Sequence, residues 1–293
     1  MEDVAGGRFG TDPFCAGLGV CVEAIDPAQV RIRIPFKEEI ANPGNALHGG
    51  VMASAIDIAG SCAALAAVDH KPGLDSSVLD LNVSYLAAAI GEDIVATAEV
   101  LRRGKEITYS AVDVRTDTGK RIAAGLVTHR AFDLESVAAA RERQLSTMTP
   151  LPLPQTMKMI RGANMFVSFG FISRLGIGVE HAHDGEAVLP LPFKVENADA
   201  SGAVHEGALA ALIDTTGALA SWSIVGLNMS YKASTVGMHV SYHAAACGED
   251  LVAHAKTLRR NNEIFLNQVT VSSRASGKII ATGSVTYRIV VND

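Results

Sequence analysis

Asn42-Pro-Gly-Asn-Ala-Leu-His48-Gly49-Gly50, with Asp57 nine residues after the histidine, has a counterpart further along the chain. That counterpart is Asp199-Ala-Ser-Gly-Ala-Val-His205-Glu206-Gly207, with Asp214 again nine residues after its histidine. The two stretches lie 157 residues apart, and the offset holds well beyond them. Leu18-Gly-Val20 pairs with Leu175-Gly-Ile177, Pro35-Phe-Lys37 with Pro192-Phe-Lys194, and Gly91-Glu-Asp93 with Gly248-Glu-Asp250. From Val83 to Ile107, 17 of 25 positions are identical to their partners, so the likeness is inherited and not a matter of composition. After one inserted residue the offset becomes 158, matching Gly119-Lys120 to Gly277-Lys278 and Arg130 to Arg288. Solenoid repeats have periods of roughly 20–50 residues, so a whole domain is duplicated here. The expected division is a first domain over residues 1–145, a linker over 146–154 and a second domain over 155–293. Thr149-Pro-Leu-Pro-Leu-Pro154 makes the linker stiff and extended.

Each copy reads alike. Leu18–Ile25 and Gln29–Pro35 are short, β-branched and partly alternating, which predicts two strands. Asn42-Pro-Gly-Asn45 is a loop. From His48 to Val68 the chain is apolar on nearly every side, which predicts a helix enclosed by its surroundings. Ser77–Ala87, Asp93–Arg103, Glu106–Thr116 and Lys120–Arg130 follow as strands separated by Gly-Glu-Asp, Arg-Arg-Gly-Lys and Thr-Asp-Thr-Gly turns. The order ββ-α-ββββ predicts an α+β fold, with one long helix against an antiparallel sheet in each copy. A polar helical stretch, Leu134 to Leu145, is expected before the linker. An amphipathic helix, Gln155 to Phe169, is expected before the second copy.

Composition narrows the function classes. Hydrophobic residues make up 48% of the chain and charged residues 19%, which excludes a disordered protein. A net charge of −6 argues against nucleic acid, whose phosphates need a basic face, and 5% aromatics with a single tryptophan, Trp222, argue against base stacking. Four cysteines without CxxC spacing read as free thiols. The apolar run Val51–Val68 is nearly long enough to span a membrane. It carries Asp57, and its counterpart carries Asp214, each costing about 2.5–3.5 kcal/mol at a bilayer centre. A helix buried in a soluble core is therefore expected, with no membrane partner. The acidic start, Met1-Glu-Asp-Val, has no basic-then-apolar leader, and a cytoplasmic location is expected.

With Asn six residues before His48-Gly49-Gly50 and Asp57 nine after that histidine, the segment resembles the hotdog-fold acyl-CoA thioesterases of the phenylacetate-pathway type, within the 4-hydroxybenzoyl-CoA thioesterase superfamily. Asp80-Leu-Asn-Val-Ser-Tyr85 and Gly91-Glu-Asp93 are similar to that family's third strand and following turn. The resemblance spans nearly the whole chain, twice, and implies two hotdog domains pairing within one chain. The implied activity is hydrolysis of an acyl-CoA thioester without a cofactor or metal. A glycine at a helix N-terminus lets a thioester carbonyl approach unpaired backbone N–H groups and the positive end of the helix dipole. Nine residues at roughly 1.5 Å each put the aspartate about 13 Å from its own helix N-terminus, too far to serve it easily, and the resemblance implies that it reaches the site of the other copy. There it acts as general base on water or as nucleophile.

The resemblance thus implies two composite sites. The first takes Asn42, His48, Gly49 and Gly50 from copy one and Asp214 from copy two, with Thr235 at the position of a family serine that helps to hold the water. The second takes Asp199, His205, Glu206 and Gly207 from copy two and Asp57 from copy one. There an aspartate replaces the amide donor and Val78 replaces the hydroxyl, although Ser77 is adjacent. The second site is therefore expected to be degenerate. His48 and His205 are expected only to orient the helix starts. Arg102, Arg103, Arg259 and Arg260 lie on matching hairpin turns and are candidates for the CoA phosphates. His181-Ala-His183 reads as a solvated turn. Two rival readings remain. One is a hotdog hydratase or dehydratase, echoed by Asn42-Pro43 but lacking its aspartate. The other is a non-catalytic acyl-CoA-binding protein. Pairing of two such chains into a homodimer is a further expectation of the resemblance.

Overall fold

The structure is a computed structural model that describes residues 12–26, 29–67, 74–133, 149–228 and 230–291. The first copy contains α1 (Pro13–Leu18), β1 (Cys21–Ile25), β2 (Gln29–Ile34), α2 (Gly49–Ala66), β3 (Leu74–Tyr85), β4 (Ile94–Arg103), β5 (Ile107–Thr116) and β6 (Arg121–Asp133). The second contains α3 (Ala163–Phe166), α4 (Gly170–Leu175), β7 (His181–His183), β8 (Glu186–Leu191), α5 (Glu206–Val225), β9 (Lys232–Tyr242), β10 (Leu251–Asn261), β11 (Ile264–Ser273) and β12 (Ile279–Val290). Short 3-10 turns at 38–40 and 195–197 precede the two loops that lead into α2 and α5.

All twelve strands form one antiparallel sheet in the order β1-β2-β4-β5-β6-β3-β9-β12-β11-β10-β8-β7. The two copies join at its centre, where β3 pairs with β9 and Leu81 and Val83 stand opposite Val240 and Met238. This seam gives a duplicated chain the continuous sheet that hydrogen-bonding physics favours, because the two inner strands are left without open edges.

The sheet wraps α2 and α5, which are long and apolar enough to cross a membrane but are mostly buried inside the protein. Their all-round apolarity has two causes. One face of each helix lies on its own half of the sheet. Gly60 of α2 meets Val127 of β6, and Gly217 of α5 meets Val285 of β12, so closely that an added Cβ would lie 2.6 and 2.7 Å from the valine side chains. The other face meets the partner helix. A Cβ on Gly50 would lie 2.5 Å from Ala211 Cβ, and one on Gly207 would lie 2.5 Å from Ser54 Oγ. Gly50 meets Ala211 while Ser54 meets Gly207, so the helices run antiparallel with their N-terminal halves side by side.

The structure departs from the sequence reading at four places. Leu18 ends a helix instead of opening a strand. Asp12 caps α1 through bonds from Phe14 and Cys15 N–H, Pro13 sits in the first turn, and Gly19 at φ 75 ends it. No helix runs from Gln155 to Phe169. Gly162 at φ 86 and Gly170 at φ 51 interrupt the backbone, leaving only α3 and α4, and Met157, Met159, Met165 and Phe169 are exposed. β3 begins at Leu74, three residues early. His181-Ala-His183 is an edge strand, with His181 buried and its Nδ1 accepting from Lys158 N–H at 3.1 Å. The helix expected at Leu134 to Leu145 lies outside the described residues.

The short helices are exchanged between copies. Phe14 N–H of α1 donates to Ala198 O in the loop before α5 at 3.2 Å, and Gly170 of α4 lies against Ala41 in the loop before α2. Replacing Gly60 or Gly217 with valine should force a helix off the sheet. Each variant is expected to lose about 1–3 kcal/mol of stability, read as a lower urea midpoint at unchanged m-value.

Candidate active site

The N-terminus of α2 is built by three hydrogen bonds. His48 is its cap, in extended conformation (φ −65, ψ 143), and its Nδ1 accepts from Gly50 N–H at 2.9 Å. His48 O accepts from Val51 and Met52 N–H. The Gly49 N–H is left without a partner among the described residues and is the donor this helix end can offer. Burial pushes the His48 imidazole down to about 4, so the ring is neutral with its proton on Nε2. His48 therefore shapes the helix start, as the sequence reading expected, and is not poised as a base.

Asp214 of α5 reaches this point from the other copy. Its Oδ2 would lie 2.7 Å from a Cβ on Gly49, so only glycine lets the carboxyl approach this closely. Its Oδ1 accepts from Thr235 Oγ1 of β9 at 2.6 Å. The carboxyl is 3% exposed, and burial raises it to about 6 against the opposing effect of the threonine bond. Tyr85, at the end of β3, donates to Gly49 O at 3.2 Å and closes the far side. Burial and the nearby Asp214 charge keep its phenol protonated. The structure thus brings together His48, Gly49, Gly50, Asp214 and Thr235. Asn42 is exposed in the loop before α2, and its side chain makes no hydrogen bond among the described residues.

The second site repeats the frame with different chemistry. His205 caps α5 and accepts from Gly207 N–H at 2.9 Å, and Tyr242 donates to Glu206 O at 3.2 Å. Asp57 reaches the helix start, with Oδ2 3.9 Å from His205 Nδ1. Val78 lines this cavity where Thr235 stands in the first site, so the ungapped alignment holds and Asp57 has no hydroxyl partner. Glu206 puts a carboxylate where Gly49 has no side chain. Burial raises both Asp57 and Glu206, and the charge of each neighbouring acid adds to the effect on Asp57. Asp199 spends Oδ1 on Ser201 N–H, Ser201 Oγ and Ala203 N–H, holding its own turn. Phe14 stacks on His205 at 4.4 Å between ring centroids. The second site thus differs from the first at Glu206 in place of Gly49, Val78 in place of Thr235 and Asp199 in place of Asn42.

A profile of the thioesterase superfamily matches the chain twice, at residues 44–123 and 201–280, more than half its length. The chain belongs to the thioesterase superfamily. Each match covers one copy, from the loop before the long helix to the sixth strand. The chain is 38% identical over 101 residues to human acyl-coenzyme A thioesterase 13, covering 34% of this chain and 70% of that protein. It is 28% identical over 132 residues to the medium/long-chain acyl-CoA thioesterase YigI of Escherichia coli, covering 40% of this chain and 84% of that one. Among solved structures it is similar to a hot dog fold protein of Alicyclobacillus acidocaldarius, with a TM-score of 0.62 and 16% identity over 93% of this chain and 97% of that one. The fold of this thioesterase-superfamily chain is accordingly a tandem hotdog.

Arg102 and Arg103 end β4, and Arg259 and Arg260 stand near the end of β10, all exposed. Arg260 is spent on Phe265, 5.2 Å from its ring centroid, and on Asn262 O. Among the described residues none of the four bonds to either helix start. Sequence reasoning missed Tyr85, Tyr242, Asp12 and Phe14. The tyrosines fall at matching ends of β3 and β9 within the Val-Ser-Tyr stretch that both copies share, which was the available signal. Asp12 and Phe14 had none, because they reach the second site through His205 of the other copy.

The Asp214 carboxyl should titrate near pH 6 by carboxyl-detected NMR. Its folded value is raised above the ordinary 3.8, so its contribution to stability is complete below about pH 4 and lost as pH rises through 6. Thr235→Val removes the bond that lowers it and should move the midpoint upward.

Proposed function

We propose that this chain hydrolyses acyl-CoA thioesters at the first site, with Asp214 as general base. The observation that carries the reading is the convergence of the Gly49 N–H, without a partner among the described residues, and the Thr235-held Asp214 carboxyl on one helix start. The similarity to acyl-CoA thioesterases supports the substrate class.

In this mechanism the thioester carbonyl oxygen accepts from Gly49 N–H at the positive end of α2. A preorganised donor aimed at a developing oxyanion contributes about 2.7–4 kcal/mol. Asn42, with an uncommitted amide at the mouth of the loop, is the second donor. Thr235 fixes one oxygen of Asp214, so the other faces the water. That oxygen takes a proton as water attacks the carbonyl carbon, and the tetrahedral intermediate collapses with the thiolate of CoA as leaving group. Asp214 then returns the proton to the thiolate. A base titrating near 6 is ionised at neutral pH yet basic enough to accept a proton, which is the balance that general-base catalysis needs. The second site cannot do this. Glu206 fills the place of the carbonyl with negative charge, and two unit charges about 4 Å apart at an effective dielectric near 20 repel by about 4 kcal/mol.

The test is thiol release from a panel of short-, long- and aryl-chain acyl-CoAs. Asp214→Asn should lower kcat by about 10²–10⁴-fold, the range of a lost general base. Asp57→Asn should leave turnover within a few-fold. The kcat/KM profile should fall on the acid side with an apparent pKa of about 6, and Thr235→Val should shift that limb upward. Equal losses from Asp57→Asn and Asp214→Asn in folded variants would overturn the assignment of the live site.

A further inference from the structure

The second site, which on the reading above does not turn over a thioester, is not filled by packing. A cavity of about 70 Å³ remains there, and four carboxylates line it: Asp12, Asp57, Asp199 and Glu206. No lysine or arginine is among the lining residues. Asp57 is 1% exposed, and its Oδ1 has no hydrogen-bond partner among the described residues. The cause is visible by comparison with the first site. Asp214 there is held by Thr235, whereas Val78 gives Asp57 nothing. A buried carboxylate oxygen without a donor costs too much free energy to persist without a compensating charge or proton.

We propose that the second site binds one hard divalent cation, with Asp57 and Glu206 as its direct oxygen ligands. One ligand atom each from Asp57, His205 and Glu206 lies within 4.8 Å of the others. His205 Nδ1 is already taken by Gly207 N–H, which leaves the two carboxylates as the donor set. Oxygen donors select Mg2+, Mn2+ or Ca2+ over softer ions. The cavity has space for the ion and a few waters, since a single water needs only about 10–15 Å³ of such volume. Asp199 commits Oδ1 to its own turn, and its second oxygen remains to accept from those waters, whereas Asp12 caps α1 through Oδ1 and faces His205 Nε2 through Oδ2 at 3.7 Å. A dication would offset the repulsion between the paired acids, where the alternative is a proton shared between them.

The experiment titrates chelator-treated full-length protein with Mn2+ at neutral pH, read by electron paramagnetic resonance and by calorimetry. The expected result is one Mn2+ per chain, displaced by Mg2+ or Ca2+, with a Tm that rises with cation concentration. Loss of even an outer-shell partner of a metal weakens binding about 10–100-fold, so Asp57→Asn and Glu206→Gln should each cost at least that much. Asp214→Asn should bind Mn2+ as the wild type does. Glu206→Gly, which installs the residue of the first site, is a second variant should Glu206→Gln fail to fold, and it should also lose the ion. Absence of saturable Mn2+ binding at millimolar concentration, or binding that survives both substitutions, would overturn the proposal and leave the shared proton. Thiol release is not read, so the outcome is independent of hydrolysis at the first site.

Discussion

The antiparallel contact between α2 and α5 is the constraint on which the rest of the molecule depends. Gly50 against Ala211 and Gly207 against Ser54 let the two helices approach until their backbones nearly touch. Helix interfaces of this closeness tolerate only small residues. The approach sets the reach of each aspartate. Nine residues after its cap histidine, Asp214 lies against Gly49 and Asp57 lies near His205, because the helices run in opposite directions from the same crossing. A single-copy fold could not bury an all-round apolar helix, so the duplication satisfies burial and completes the sites at once.

One scaffold carries two sites that have diverged in charge. Both histidines cap through Nδ1 and both tyrosines hold the carbonyl of the first helical residue, at nearly equal distances. The frame is therefore the same in both, and chemistry differs only where side chains enter it. In the first site a glycine leaves the helix end open and a threonine supports the acid. In the second a glutamate occupies that end and a valine withdraws the support. These exchanges, with Asp199 in place of Asn42 and Asp12 nearby, leave an acidic pocket at the second helix start.

Burial governs the electrostatics of both. It lowers His48 and raises Asp214, leaving a neutral ring beside an acid that ionises near pH 6. In the second site the same burial acts on two adjacent acids and raises both, and the opposing effect of His205 on Glu206 does not offset the loss of solvent.

The sequence by itself determined the duplication, the order of strands around one enclosed helix, and that neither aspartate easily serves its own helix start, while the pairing of Asp214 with the other copy was implied by the family resemblance. A period of 157 residues, apolar runs at strand and helix lengths, and the fixed rise of an α-helix carry that information locally. It did not determine the helix content between the copies. Apolar residues spaced like a helix from Gln155 to Phe169 are overridden by glycines with positive φ and by contacts along the surface. Only the tertiary structure decided that α1 and α4 pack on the opposite copies, that Asn42 is exposed while Asp199 holds a turn, and that Glu206 stands beside Asp57. The packing of α1 and α4 and the meeting of Glu206 with Asp57 depend on residues about 150 apart coming together, and no local pattern encodes such a meeting. Charges that are harmless apart in sequence become a cluster only when the fold removes the water between them.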